Sequence, residues 1–271
     1  MHNRISVVCV VAMTLGLANL GVAVLADGLV AYWALDAGAG NVARDGTGGG
    51  ADGSLVNGLA WAPAAEARVG ASALSFDGED DLLSIGTLDV EGDGATFACW
   101  FFATNLDTPG NDPRMISKAI GGDSDQHWWM ISSGRQGAVK VLRFRLKTDG
   151  VTGELKANVA TGGIEPGVWT HATATWDGSK MRLYKDGVEV GILPKAGELD
   201  TDSTVAAAIG NQPDGAENRP FEGVIDEVGI WSRALTPDEI AEAMGGEFLA
   251  VDAAGKSATT WANIRRRSIG R

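Results

Sequence analysis

The stretch 221-FEGVIDEVGIWSRALTPDEI-240 decides the fold, because it combines a buried strand, a carboxylate within that strand and the start of a helix. With the two-residue period of a strand, Val224, Val228 and Ile230 share one face, and Asp226 falls on the same face. Burying a carboxylate costs several kcal/mol unless hydrogen bonds, a counter-charge or a metal ion satisfies it. Asp226 is therefore expected either to accept backbone N–H groups or to bind a hard cation.

A short helix is predicted directly after this strand. Thr236, Pro237 and Glu239 occupy the N-cap, first and third helical positions, which is the pattern of a capping box. The helix is expected to end at Gly245 and Gly246, because glycine commonly terminates helices.

Short strands separated by turns account for the chain before this stretch. Strands are predicted at 29–35, 74–78, 82–85, 96–103, 115–118, 128–132, 139–147, 169–176, 181–185, 205–210 and 221–231. The glycine-rich segment 37–53 is predicted to be a connector, and 96–103, apolar on both faces, a central strand covered on both sides. So many short strands with one helix predict an all-β fold, a two-sheet antiparallel jelly-roll sandwich with one short C-terminal helix.

The two ends of the chain differ in composition from its middle. Residues 1–26 have a positive start, an apolar run and a small-x-small end before Asp27, which predicts a secretory signal peptide. One domain is expected over 27–250, followed by a basic tail at 251–271 whose simplest interpretation is a solvated terminal segment. Cleavage would leave Cys99 as the lone cysteine, which excludes an internal disulfide and favours a core position.

The net charge of −13 restricts the classes of partner. It argues against nucleic acid and against anionic membrane surfaces, and it suits calcium or neutral sugar. No second apolar stretch approaches the roughly 20 residues of a membrane span, so no membrane insertion is expected after cleavage. The protein is expected to be secreted, extracellular or periplasmic, with a glycan or another protein as its partner, and its oligomeric state stays open.

Five stretches carry a family resemblance, and they are 76-FDGEDDLLSIG-86, 96-TFACWFFAT-104, 167-GVWTHATATWDGSKMRLYKDGVEV-190, 206-AAAIGN-211 and the opening stretch. They resemble, in order, blocks of the laminin-G-like, concanavalin A-like jelly-roll domains of secreted bacterial proteins, and their order is also similar to that of pentraxins. The resemblance spans about 28–246. It implies two curved sheets, frequent calcium binding, and recognition of carbohydrate or protein. It also implies that Trp169, Trp176 and Tyr184 pack at structural positions.

The resemblance implies two places for calcium or a ligand. Related bacterial glucanases hold calcium with an aspartate of the last strand and main-chain oxygens, and the matching positions are Asp226, Asp36 or its neighbours, and Gly78. A pentraxin-like ligand site is implied at four further positions, although Pro213 interrupts its second loop and one glutamate is missing. Those positions are Asp125, Gln126, Gln212 and Asp214.

A basic ladder on the predicted strand 139–147 stands apart from this resemblance. The alternation places Leu142, Phe144 and Leu146 inward and Arg143, Arg145 and Lys147 outward. The ladder is expected to pair with carboxylates of adjacent strands. The alternative is recognition of an anionic glycan, with Trp128 or Trp129 stacking on sugar rings.

Catalysis is not expected from the motifs. Glucanases of this fold carry Glu-x-Asp-x-Glu on a strand, and the nearest stretch here, 198-ELDTD-202, ends in Asp and follows Pro194 in a turn-rich segment. His127 and His171 lack neighbouring cysteines, and no P-loop or dinucleotide fingerprint occurs. The sequence therefore predicts a calcium-stabilised carbohydrate-binding module. The alternatives are a structural or adhesion domain contacting proteins and, more weakly, a degenerate glycosidase.

Overall fold

A computed structural model describes residues 25–213, 218–246 and 248. The chain forms sixteen strands and one helix of more than one turn in this part. The strands are β1 Leu29–Trp33, β2 Val42–Ala43, β3 Gly53–Val56, β4 Ala60–Pro63, β5 Ser72–Asp77, β6 Leu82–Ser84, β7 Ala95–Asn105, β8 Arg114–Ala119, β9 His127–Gln136, β10 Val139–Thr148, β11 Val151–Lys156, β12 Trp169–Trp176, β13 Lys180–Lys185, β14 Val188–Pro194, β15 Ala207–Ile209 and β16 Glu222–Trp231. The helix α1 spans Pro237–Ala243.

Two antiparallel sheets pack face to face, which confirms the predicted sandwich with one short helix. The first sheet, called the front sheet, has the order β14-β13-β12-β7-β16-β5-β4, and β1 also pairs with β16. The second, called the back sheet, has the order β11-β10-β9-β8-β15-β6-β3-β2. Neighbours in sequence are joined by turns, and the central β7 and β16 come from distant parts of the chain. The fold therefore depends on long-range pairing.

The core lies between the two sheets and is built from alternate residues of each strand. Phe97 of β7 stacks on Trp129 of β9 with ring centroids 5.1 Å apart, which joins the sheets at their centre. Leu142, Phe144 and Leu146 of β10 are fully buried in this core, as predicted. Cys99 is also buried there, and burial raises the pKa of its thiol.

The helix α1 covers part of the outer face of the front sheet. Thr236 Oγ1 accepts from Glu239 N at 3.3 Å and the Glu239 carboxylate accepts from Thr236 N at 2.7 Å, so the capping box is confirmed. Ile240 packs with Ala98 of β7 and Trp231 of β16 in a second apolar cluster. Strand β7 is therefore covered on both faces, as its sequence predicted.

The predicted face of Asp226 is wrong, although Asp226 is fully buried. Ile225 faces the core, whereas Val224 and Asp226 lie on the outer face of the front sheet, paired with Phe102 and Trp100. A β-bulge between Asp226 and Gly229, with Glu227 at φ 51°, shifts the alternation so that Val228 and Ile230 face the core. The period-two rule fails because the bulge adds a residue to the strand.

The predicted connector 37–53 is partly ordered into strands, because β2 and the first residue of β3 lie within it. The buried carboxylate of Asp45 organises this segment. Its Oδ1 accepts from Tyr32 N at 3.2 Å and from Thr47 N at 3.0 Å, and its Oδ2 accepts from Ala51 N at 3.3 Å. Side-chain hydrogen bonds therefore replace the apolar contacts that the segment lacks.

The predicted signal peptide and the predicted basic tail lie almost wholly outside the described residues. Leu25 is described and buried, and its carbonyl oxygen accepts from Trp231 Nε1 at 2.7 Å. In the described part of the chain, no helix is long and apolar enough to cross a membrane.

Candidate ligand-binding site

A cavity of about 520 Å³ opens on the outer face of the front sheet, beside the end that α1 leaves uncovered. Its floor is aromatic, because Trp169 of β12 pairs in register with Phe102 of β7 and their ring centroids are 5.8 Å apart. Val224 of β16 continues this row. Both aromatic rings are half-buried, so each keeps an accessible surface. The volume falls within the range of pockets that enclose small ligands.

Glu222 is the polar anchor of the cavity. Its Oε1 accepts from Thr104 Oγ1 at 3.2 Å, and its Oε2 accepts from Asn105 Nδ2 at 2.9 Å. A second bulge of β16 places it there, with Gly223 at φ 137°. A Cβ on Gly223 would overlap with the carbonyl oxygen of Phe102, so only glycine fits. Two donors hold the Glu222 carboxylate in place, and each of its oxygens keeps a lone pair for a ligand hydroxyl.

The rim of the cavity is negatively charged. Glu66 and Asp77 line it together with Glu222, and none of the described lining residues is lysine or arginine. Carboxylates accept hydrogen bonds and repel anions. The cavity therefore combines an aromatic floor with acceptors for hydroxyl groups, and its charge disfavours sulfated or carboxylated ligands.

The β5–β6 turn next to the cavity carries three carboxylates. One oxygen each of Asp77, Asp80 and Asp81 can be chosen so that all lie within 4.8 Å of one another. Asp81 is 3% exposed, and its Oδ2 accepts from Asp77 N at 3.0 Å. Its Oδ1 is buried and has no hydrogen-bond partner among the described residues. Burial raises the pKa of Asp81 to about 6, and repulsion from Asp77, Asp80 and Glu79 adds to this effect.

Asp226 is held by backbone hydrogen bonds. Its Oδ2 accepts from Arg68 N at 2.8 Å and Val69 N at 3.0 Å, and its Oδ1 accepts from Glu227 N at 3.0 Å. Burial raises its pKa to about 6, although these three bonds act in the opposite direction. The contacts match the hydrogen-bonded alternative for this residue. The Oδ1 of Asp36 likewise accepts from Ala71 N at 2.6 Å, and calcium coordination by Asp226, Asp36 and Gly78 stays a prediction.

His171 of β12 pairs in register with Trp100 of β7, which separates it from Asp226 of β16, and it is a structural residue. It is fully buried, its ring contacts Trp100 with centroids 5.0 Å apart, and its Nδ1 lies 3.2 Å from Thr173 Oγ1. Burial lowers its pKa to about 3, and the charge of Arg68 contributes. The ring is therefore neutral at physiological pH and packs on strand β12, and its buried Nε2 has no hydrogen-bond partner among the described residues.

The structure brings two of the four pentraxin-like positions together. Gln212 is buried and its Nε2 donates to the Gly121 carbonyl oxygen at 2.9 Å. Gln126 lies against the same glycine, and its Oε1 accepts from Asp123 N at 3.0 Å. Asp125 is exposed in the same short turn, and Asp214 lies outside the described residues. Both amide side chains serve as local hydrogen-bond partners, and ligand binding by this group stays a prediction.

The basic ladder lies on the outer face of the back sheet and is paired. Arg145 Nη2 donates to Glu154 Oε2 at 2.7 Å, and Arg143 pairs with Asp112 and Glu154. Glu154 lies on the adjacent β11, so the expected cross-strand pairing is present. Lys147 covers the ring of Trp128, with Nζ 4.3 Å from its centroid.

The two candidate stacking tryptophans of the back sheet are not open platforms. Trp129 is 1% exposed and belongs to the core, so the alternative in which Trp129 stacks on a sugar ring is wrong. Trp128, on the other face of the same strand, is 7% exposed beneath Lys147. Recognition of an anionic glycan by this face stays a prediction, and stacking of a sugar ring on Trp128 would require Lys147 to move.

The residues of 198-ELDTD-202 lie in the connection between β14 and β15, not along one strand. Asp200 accepts from Gly150 N at 3.0 Å, and Asp202 Oδ1 accepts from Thr204 N at 2.9 Å. These carboxylates therefore hold turns. They do not form the row of acids on one strand face that glucanase chemistry uses.

Comparison with known proteins identifies a family and a relative that this chain resembles in sequence. Residues 77–241 match the family model described as "Concanavalin A-like lectin/glucanases superfamily". The human adhesion G-protein coupled receptor D1 is 31% identical over 156 residues, which is 55% of this chain and 16% of the receptor. The chain thus spans a small part of that relative.

Two solved structures share the fold. Domain 4 of AbnA, an extracellular arabinanase from Geobacillus stearothermophilus in complex with arabinotriose, has a TM-score of 0.59 at 21% identity, covering 80% of this chain and 98% of that chain. The ligand-binding domain of botulinum neurotoxin serotype D, in complex with N-acetylneuraminic acid, has a TM-score of 0.57 at 16% identity. The match covers 83% of this chain and 52% of that chain.

Proposed function

The chain belongs to the concanavalin A-like lectin/glucanases superfamily, and we propose that it is a secreted, non-catalytic module that binds neutral carbohydrate in the cavity over Trp169 and Phe102. The observation that carries the proposal is the pairing of two accessible aromatic rings with the oriented carboxylate of Glu222. A sugar ring has an apolar face and a rim of hydroxyl groups. The aromatic floor suits its face, and the carboxylate suits its hydroxyl groups.

The likeness to domain 4 of AbnA supports the class of ligand. That domain was solved with arabinotriose, a neutral oligosaccharide, and nearly its whole length aligns with this chain. The identity of 21% limits the comparison to the fold, so the choice of cavity rests on the contacts of this chain's own residues. The negative rim then selects neutral over acidic sugars.

A glycan array tests this proposal. We expect the purified domain to retain neutral oligosaccharides, including arabino-oligosaccharides, and to ignore sialylated, sulfated and uronic glycans. The reason is that Glu66 and Glu222 flank the aromatic floor and repel anions. Isothermal titration with the strongest neutral ligand then gives the affinity. A preference for acidic glycans would contradict the proposal and would direct attention to the basic ladder of the back sheet.

Protein binding is the second candidate function, and an edge strand favours it. β14 ends the front sheet, and its Val188 and Ile192 are 63% and 50% exposed. The Val190 carbonyl oxygen in the middle of this edge accepts from Asn158 N at 2.7 Å, and the exposed apolar side chains on either side of it form a surface on which another strand can add. An array without any glycan signal would shift the proposal to this structural or adhesion role.

A further inference from the structure

We propose that the β5–β6 turn binds a calcium ion through Asp77, Asp80 and Asp81, at the rim of the cavity. This placement differs from the glucanase-like site at Asp226, and it does not rest on sugar binding. The three carboxylates belong to the segment 77-DGEDD-81, which joins two strands of different sheets.

The spacing of the carboxylate oxygens suits one ion. Calcium binds oxygen at 2.3–2.6 Å, so two ligand atoms on opposite sides of the ion are about 5 Å apart. The selected oxygens of the three aspartates all lie within 4.8 Å of one another, so one ion can contact all of them. Asp77 and Asp80 are exposed, and water can complete the six to eight ligands that calcium prefers.

The orphaned oxygen of Asp81 is a second, independent observation. The residue is 97% removed from solvent, since it is 3% exposed, yet its Oδ1 has no hydrogen-bond partner among the described residues. A buried charged oxygen without a partner is costly, and two neighbouring carboxylates increase the cost by repulsion. A divalent cation held by the three aspartates would neutralise this repulsion, and a bidentate contact with Asp81 would also satisfy its orphaned oxygen.

The chemistry of the donors selects calcium among common metal ions. All three side chains offer hard oxygen ligands, as calcium prefers, whereas zinc sites typically use cysteine sulfur or histidine nitrogen. Magnesium demands near-ideal octahedral geometry at shorter distances, whereas a solvent-open turn suits the more flexible shell of calcium. By contrast, the Asp226 carboxylate accepts hydrogen bonds from three backbone N–H groups. Both of its oxygens therefore already have partners without a cation.

Isothermal titration of calcium chloride into chelator-treated full-length protein tests the inference. We expect one ion to bind the wild type, and Asp80→Asn and Asp81→Asn to lose at least tenfold in calcium affinity. Asp80 is exposed, so Asp80→Asn is expected to leave the fold intact, and Glu91→Gln is the matched control at an exposed acid outside the turn. Thermal melting with and without EGTA is expected to show a calcium shift in the wild type and in Glu91→Gln.

Two results would overturn the inference. One is the absence of calcium binding by the wild type, and the other is unchanged affinity in Asp80→Asn, which would place the ion elsewhere. Failure of the glycan array has no bearing on either result, because the metal site is defined by its own side chains. The two proposals therefore fail separately.

Discussion

Replacing Trp169 by alanine is expected to weaken binding of the best neutral oligosaccharide by about 30-fold, which corresponds to about 2 kcal/mol. The side chain forms half of the aromatic floor, and a sugar stacked on it would lose most of its apolar contact. Trp169 is half-buried at the outer face, so its removal leaves the core between the sheets unchanged. Isothermal titration gives the change in affinity, and urea unfolding verifies the fold.

The matched control for this variant is Trp61→Ala. Trp61 is also a half-buried tryptophan of the front sheet, but it packs against the core and its Nε1 donates to the Gly40 carbonyl oxygen at 2.7 Å. Its removal is expected to lower stability without changing sugar affinity. Equal affinities for the Trp169→Ala protein and the wild type would exclude the cavity as the sugar site.

Asp226→Ala is expected to lower the free energy of unfolding by about 3 kcal/mol, because it leaves the N–H groups of Arg68, Val69 and Glu227 without their acceptor. Two of these donors, Arg68 N and Val69 N, belong to the connection between β4 and β5, so the packing of the Arg68 guanidinium over the Trp100 ring is also expected to loosen. Urea unfolding at neutral pH measures the loss.

Two further variants serve as controls for Asp226→Ala. Asp226→Asn keeps the shape and one acceptor oxygen, so an intermediate loss is expected. Asp125→Ala removes an exposed carboxylate and is expected to stay within about 0.5 kcal/mol of the wild type. A loss below about 1 kcal/mol for Asp226→Ala would mean that its three hydrogen bonds do not hold the β4–β5 connection in place.

Much of the sandwich follows from local sequence signals. Every predicted strand overlaps an observed one, because apolar alternation and turn residues are local properties. The missed strands β2, β3, β4, β11 and β14 are short or lie at or near sheet edges, where few apolar residues alternate. Their positions depend on hydrogen bonds to neighbouring strands, which no local pattern reports.

The face of β16 shows what local patterns miss. Its two bulges depend on Gly223 and Glu227, and glutamate gives no hint of the left-handed conformation that it adopts. The alternation therefore changes phase within the strand. The period-two pattern therefore assigns Val224 and Asp226, and with Val224 part of the cavity floor, to the wrong side of the sheet.

The family resemblance predicts that Trp169, Trp176 and Tyr184 all pack at structural positions. Trp176 and Tyr184 are buried, whereas Trp169 is half-buried. A signal in the sequence distinguishes Trp169 from Trp176, because an odd spacing of seven residues on one strand places two side chains on opposite faces. With Trp176 in the core, Trp169 must lie outside. The same rule separates Trp128 from Trp129. The cavity itself was not predictable, because residues 65–66 reach it only in the folded chain.

The indole N–H signals of the tryptophans test the location of sugar binding most directly. In two-dimensional NMR spectra of ¹⁵N-labelled protein, assigned with Trp169→Phe and Trp128→Phe, the best neutral oligosaccharide of the array is titrated. We predict that the Trp169 signal shifts progressively, while the signal of Trp128, which lies beneath Lys147, stays in place. A shift of the Trp128 signal with an unchanged Trp169 signal would contradict the account.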